Sequence, residues 1–559
     1  MNIDAPHGSA TKPALLRIEN LHIEGNSDGM WRPITHGISL TLKRGEILGL
    51  VGESGAGKST LGLAAMGYLR PGCRVTEGSV KFGDTDLLKT NESERSRIRG
   101  SRISYVAQSA AASFNPARRL IDQTIETAVY RELMTRADAT ADAQDLYKRL
   151  RLPNPGTIGQ RFPHQVSGGQ LQRVMTAMAV SCRPDIIVFD EPTTALDVST
   201  QRDVLIAMRE VVRQVNAAAL YITHDLAVVA QMATRVMVLR NGKVVEEAST
   251  REIMANPREP YTRSLWAVRS LSKDPVSSEE CILDASKICV SYTGLKAVNN
   301  VSLKVPKGAI VAIVGESGSG KSTLARAIGG LASNVTGRLL FNGKNLPLRN
   351  RDRDVDLRRR IQVIYQHADT ALNPRHRVAD VVGRPLQFFF GLKGDRLRQR
   401  VSELLRLVEL GDEYLERLPS ELSGGQKQRL SIARALAASP DLIVCDEITS
   451  ALDKLVQEEI LKMLLRLQKE LGVSYLFITH DIVTVRAIAD EVIVMNAGEV
   501  VEQGARDVVF SPPHPQYTES LLSAVPEMDP DWLDNYVAGH TQSGAENNEP
   551  KLRLVPWSR

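Results

Sequence analysis

Residues 45–61 read GEILGLVGESGAGKSTL, and residues 308–324 read GAIVAIVGESGSGKSTL. Each is a short apolar run, a glycine-rich loop of the form G-x-x-x-x-G-K-S, and a stretch of helix formers. The run ILGLV (47–51) carries no charge and predicts a buried strand. Glycines let the chain curl tightly and aim successive N–H groups inward, so strand–loop–helix makes a phosphate cradle. The helix that follows adds its positive N-terminal end. The first cradle comprises Gly52, Gly55, Gly57, Lys58, Ser59 and Thr60, and the second Gly315, Gly318, Gly320, Lys321, Ser322 and Thr323. The lysines are expected to reach the β- and γ-phosphates of a nucleotide, and Ser59 and Ser322 to ligate Mg²⁺.

Other segments repeat at nearly the same spacing. VSGGQLQR (166–173) returns as LSGGQKQR (422–429), DIIVFDEPTTALD (185–197) as DLIVCDEITSALD (441–453), and YITHD (221–225) as FITHD (477–481). The offset is 263 residues at Lys58 and Lys321 and 256 at His224 and His480. The repeating unit is therefore a whole domain, far longer than a solenoid repeat. Polar, Ser- and Pro-containing stretches mark the boundaries. The expected organisation is a flexible N-terminus (1–14), a first domain (15–270), a linker (271–281), a second domain (282–528) and a mobile tail (529–559). Within each repeat, apolar runs such as IIVFD (186–190) and LYIT (220–223) alternate with amphipathic stretches such as 200–215. That alternation predicts an α/β fold with a largely parallel sheet covered by helices. VMVLRNGKVVEEA (236–248) predicts a hairpin through Asn241-Gly242, and residues 115–180 predict a separate helical subdomain.

Composition restricts the function classes. The 559 residues suffice for two sizeable cores. The 70 basic and 65 acidic residues leave a net charge of +5, too balanced to call for nucleic acid. Five scattered cysteines form no C-x-x-C pair and suit a reducing compartment. No signal peptide and no run of about 18 apolar residues is evident. A role at a membrane therefore requires a partner that spans it.

Asp190 and Asp446 end apolar strands and are expected to help hold Mg²⁺ beside the loop. The following Glu191 and Glu447 are placed to polarise an attacking water as general bases. His224 and His480 each lie 34 residues past the aspartate, a repeated spacing that suits a γ-phosphate sensor. Gln108 and Gln366 end the strands of YVAQ and VIYQ and are counted as metal-site ligands.

The loops VSGGQ and LSGGQ, lying between glutamine and DE strand, resemble the signature of ABC ATPases. The order of motifs matches that family over about 15–270 and 282–528. The resemblance implies two P-loop NTPase domains in tandem. Each has a parallel-sheet core, an antiparallel β subdomain and a helical subdomain. It also implies ATP hydrolysis at two composite sites. Lys58 would pair with Ser423, Gly424 and Gly425, and Lys321 with Ser167, Gly168 and Gly169, with Gln170 and Gln426 of the same loops counted among the nucleotide-binding residues. Asp197 and Asp453 resemble the family's D-loop. Tyr292 is placed to stack on adenine in the second domain. The matching position in the first is Gly25, which leaves adenine to rest on Trp31 or on nothing aromatic.

SFNP (113–116), ALNP (371–374), EPYTRSL (259–265) and HPQYTESLL (514–522) resemble the peptide, opine and nickel importer branch. That branch implies two integral-membrane permeases and an extracytoplasmic solute-binding protein as partners. The chain would sit peripherally at the cytoplasmic face of the inner or plasma membrane. A ribosome-acting tandem ABC ATPase is the main rival, but its long charged linker is missing here.

Overall fold

A computed structural model describes residues 14–541, apart from residues 28, 195, 268–270, 272, 275, 277, 293, 367 and 451. Most of the expected N-terminus, parts of the linker and the end of the tail lie outside the described residues. The chain divides into two compact units. The first holds 1–196, 200–265 and 526–559, and the second 197–199 and 266–525.

The first unit contains strands β1 (Ala14–Ser27), β2 (Met30–Lys43), β3 (Ile47–Val51), β4 (Cys73–Phe82), β5 (Thr85–Asp86), β6 (Ile103–Val106), β7 (Ile186–Asp190), β8 (Ala218–Thr223), β9 (Arg235–Arg240) and β10 (Lys243–Ser249). They make an antiparallel sheet in the order β2-β1-β4-β5 and a six-stranded sheet in the order β10-β9-β3-β8-β7-β6. In the larger sheet β3, β6, β7, β8 and β9 are parallel, and β10 closes an antiparallel edge. The β9–β10 turn holds Asn241 at φ 48° and Gly242 at φ 72°, the two left-handed residues a tight hairpin requires.

β3, β7 and β8 are buried at every position, which is why they read as unbroken apolar runs. The helix Lys58–Ala64 lies within a single core with both sheets. Leu61 and Ala64 pack with Leu16, Ile18 and Leu40 of one sheet and Leu50, Val188 and Ile222 of the other. The helix ends at Ala64, and the chain turns at Gly67, whose φ is 63°.

The second unit repeats this plan with β11 (Cys281–Tyr292), β12 (Leu295–Pro306), β13 (Ile310–Val314), β14 (Val335–Phe341), β15 (Lys344–Asn345), β16 (Ile361–Ile364), β17 (Leu442–Asp446), β18 (Ser474–Ile478), β19 (Glu491–Asn496) and β20 (Glu499–Ala505). The sheet orders are β12-β11-β14-β15 and β16-β17-β18-β13-β19-β20. Between β6 and β7, and between β16 and β17, each unit inserts helices. The last of them, Gly168–Val180 and Gly424–Leu436, lead back to the parallel sheet.

The polar composition after Asp529 predicts a mobile tail, and the structure corrects this for 529–541. Trp532–Thr541 is a helix attached to the first unit. Leu533 is fully buried, and its N–H donates to Gln231 Oε1 at 3.0 Å. The Gln231 amide donates to the carbonyls of Glu527 and Asp529, both at 2.8 Å. Arg209 pairs with Asp534 and Arg251 with Asp531, each at 2.5 Å. One leucine and paired charges thus hold a segment whose composition alone suggests none of this. Leu533→Ala is expected to remove about 2–3 kcal/mol of local stability. Amides of 527–535 then exchange at least about tenfold faster, while those of β3 stay protected; hydrogen-exchange mass spectrometry reads both.

Candidate functional site

The site begins where β3 stops. A Cβ on Gly52 would lie 2.1 Å from the carbonyl oxygen of Leu239 in β9, so only glycine fits against the neighbouring strand. The chain then loops outward and returns through Gly57 at φ 90°, where the helix starts. Lys58 is 5% exposed, and its ammonium donates to the carbonyls of Gly52 and Glu53, both at 2.7 Å. The second loop matches: Gly315 sits 2.1 Å by the same measure from the Met495 carbonyl. Lys321 donates to Gly315 and Glu316 at 2.8 and 2.7 Å. Burial pulls the Lys321 pKa below its ordinary value, against the attraction of Glu447 and Asp446. An ammonium held in a curl of backbone is prepared for an anion. Thr60 and Thr323 follow, half-buried.

Parallel register brings the strand-end aspartates to the loop. Ser59 Oγ donates to Asp190 Oδ1 at 2.8 Å, and Ser322 Oγ to Asp446 Oδ1 at 2.8 Å. Burial raises the Asp446 carboxyl above its ordinary range, against the Ser322 hydrogen bond. A hydroxyl and a carboxylate so paired are the hard oxygen donors a Mg²⁺ ion takes.

One residue on, Glu191 and Glu447 have left-handed backbones, φ 47° and 50°. Their N–H groups bond the β8 and β18 carbonyls of Ile222 and Ile478 at 2.9 Å. His224 Nδ1 is 3.2 Å from Glu191 Oε1, and His480 Nδ1 is 3.4 Å from Glu447 Oε1. Gln108 and Gln366 donate their amides to the other glutamate oxygen, at 3.1 and 2.8 Å. Counted with the metal donors from sequence, these glutamines are here joined to the glutamates. Burial pushes the Glu191 carboxyl up. The bond and charge of His224, the charge of Lys58 and the Thr194 hydroxyl outweigh it and hold it below its ordinary value.

Ser167 and Gln170 bond each other in a capping box at the start of the helix Gly168–Val180, as Ser423 and Gln426 do in the second unit. Gly169 and Gly425 have no room for a Cβ, which would meet Thr200 at 2.1 Å and Val456 at 2.5 Å. Asp453 caps the helix Lys454–Leu471, and Asp197 accepts a bond from Ser199 at 3.0 Å.

The family model described as ABC transporter matches residues 35–194 and 298–450. The chain belongs to the ABC transporter family. A second model, the oligopeptide/dipeptide transporter C-terminal region, matches 501–550. The glutathione import ATP-binding protein GsiA of Salmonella choleraesuis is 36% identical over 92% of this chain and 90% of that protein. The uncharacterized ABC transporter ATP-binding protein YejF of Escherichia coli is 38% identical over 91% of this chain and 99% of its own length. As an ABC protein the chain binds ATP and is an ATP hydrolase.

The two ABC units differ in detail. Tyr105 donates to Asp190 Oδ2 at 2.6 Å, so both oxygens of that carboxylate are held. Val363 takes the same register position in the second unit, opposite Val444 as Tyr105 is opposite Val188. Thr194 bonds the Glu191 carboxylate at 3.1 Å, whereas Ser450 bonds the Glu447 backbone carbonyl at 3.0 Å. Sequence reasoning missed Tyr105 and Thr194; an alignment of the two repeats at each position would have exposed them. Tyr292 stands 39% exposed at the end of β11. A Cβ on Gly25 would meet Ile34 at 2.8 Å, and one face of Trp31 carries the Arg74 guanidinium at 4.1 Å. Tyr105→Phe keeps the ring and removes one donor to a buried carboxylate. It is expected to lower stability by about 2 kcal/mol, read by urea denaturation, while Val363→Ala leaves Asp446 and its serine partner in place.

Proposed function

We propose that this chain is the ATP-hydrolysing subunit that powers import of a small solute through two partner permeases. The observation that carries the reading is duplication. Lysine-closed loop, serine–aspartate pair, and glutamate held by histidine and glutamine occur in both units with nearly the same distances.

In this reading the loops wrap the ATP phosphates, and Lys58 and Lys321 turn from their own carbonyls to the β- and γ-phosphates. Ser59 with Asp190, and Ser322 with Asp446, would hold Mg²⁺, which neutralises developing phosphate charge when bound. Glu191 and Glu447 take a proton from the attacking water. His224 and His480 orient those carboxylates through Nδ1 and leave the other ring nitrogen for the γ-phosphate. Ser167, Gly168 and Gly169 complete the site of Lys321, and Ser423, Gly424 and Gly425 that of Lys58. Asp197, Asp453 and Tyr292 act as D-loop and adenine contacts.

The relatives named for glutathione import and the match to an oligopeptide/dipeptide transporter region support a peptide-like cargo; an opine or metal chelate is the neighbouring possibility by chemistry. Among the described residues no helix is long and apolar enough to cross a membrane. The permeases, fed by an extracytoplasmic binding protein, would therefore hold the chain at the cytoplasmic face of the inner membrane.

The double variant Glu191→Gln, Glu447→Gln is expected to lose at least about 100-fold in ATP turnover while still binding ATP. Turnover within tenfold of the parent would sink the assignment of the bases. Gentle solubilisation of a tagged chain should bring two multi-span permeases with it; ribosomal subunits without permeases would refute the importer reading.

A further inference from the structure

The segments EPYTRSL and HPQYTESLL each supply one tyrosine to a phosphate loop. Tyr261 OH accepts the backbone N–H of Glu53 at 3.2 Å, and Tyr517 OH accepts that of Glu316 at 3.0 Å. Glu53 and Glu316 are the second residues of their loops. Their carbonyls, with those of Gly52 and Gly315, receive the lysine ammonium groups. In each loop the Gly–Glu peptide group thus meets the tyrosine through its N–H and the lysine through its carbonyl.

Each tyrosine is anchored elsewhere. Tyr261 is 6% exposed, opens the helix Pro260–Ala267, and has the Arg240 guanidinium 4.6 Å from its ring centroid. Glu246 of β10 accepts the N–H groups of Arg258 and Glu259 at 2.9 and 3.2 Å, fixing the start of that helix. Tyr517 lies in the helix Gln516–Ser523 and packs with Val314, the last residue of β13, in one apolar cluster. Burial pushes the Tyr261 phenol up to about 12, so it stays protonated at neutral pH.

We infer that Tyr261 and Tyr517 are positioning residues for nucleotide binding, each bracing the backbone of a phosphate loop from the segment that follows the domain's last strand. The inference rests on the ATPase reading above. A loop that must present its N–H groups to phosphates loses affinity when it can relax, because ordering it then opposes binding. The same bond in two units that differ at Tyr105 and Thr194 marks it as a requirement of the loop. It also gives the region after β10 and β20 a direct hold on the nucleotide site.

The test uses the full chain and radiolabelled ATP, with the other loop disabled. In a Lys321→Ala background, Tyr261→Phe keeps the ring and its arginine but loses the hydroxyl. Its Kd for ATP is expected to rise about fivefold, the scale of one net hydrogen bond. Amides of 52–58 should exchange faster. In the undisabled chain KM should rise while kcat stays within twofold. Tyr517→Phe should do the same in a Lys58→Ala background, and neither variant should affect the opposite loop. Unchanged Kd in both backgrounds would overturn the inference, as would a loss of kcat at unchanged KM. Absence of ATP binding in both unmutated backgrounds would instead strike down the ATPase reading beneath it.

Discussion

Everything at the site depends on how closely β9 lies against the end of β3. The Leu239 carbonyl occupies the space a side chain at position 52 would need, and the Met495 carbonyl does the same at 315. That approach fixes the first peptide of the loop and hence the carbonyls that hold Lys58 and Lys321. It exists because β3 runs in the middle of a parallel sheet, flanked by β9 and β8. The same neighbour β8 accepts the Glu191 N–H and carries His224 just beyond its end. One strand order therefore sets the loop, the aspartate and the glutamate–histidine pair together. The ends of parallel strands are where such a sheet gathers polar groups around an apolar core.

Much of this was legible because it repeats. The strands at 47–51 and 186–190 have the bounds their apolar runs suggest, since strands buried on both faces are built of apolar residues, here up to the aspartate that ends 186–190. The Asn241-Gly242 hairpin follows from two left-handed positions that few residue pairs tolerate. What stayed hidden depends on contacts between distant residues. Nothing in the composition of 526–541 announces that Leu533 is buried beside Gln231, about 300 residues earlier. Likewise Tyr261 lies 208 residues from Glu53, and no local pattern links them.

The repeats also show which parts of the architecture tolerate change. Backbone features are duplicated closely: the cramped glycines, the left-handed glutamates, the serine–glutamine capping boxes. The second donor to the aspartate is not. Asp190 has two donors where Asp446 has a serine and, at the other position, a valine in register. A charge-assisted bond to a carboxylate contributes roughly 1.5–3 kcal/mol. The two aspartates therefore sit in measurably different environments on one backbone plan.

The left-handed glutamates show how the site limits that divergence. A non-glycine residue in this conformation costs about 1–3 kcal/mol, yet Glu191 and Glu447 both adopt it. The strain is offset locally, since each N–H finds a strand carbonyl and each carboxylate finds a histidine and a glutamine. Relaxing either backbone to an extended conformation would continue the strand and carry the carboxylate away from the histidine. The turn is therefore what directs the carboxylate, and the partners hold it there before substrate binds. Catalysis by a positioned base depends on that geometry first and on its pKa second. The features the two units share most closely are accordingly those that aim the glutamate, while the hydrogen bonds around the aspartate are where they part.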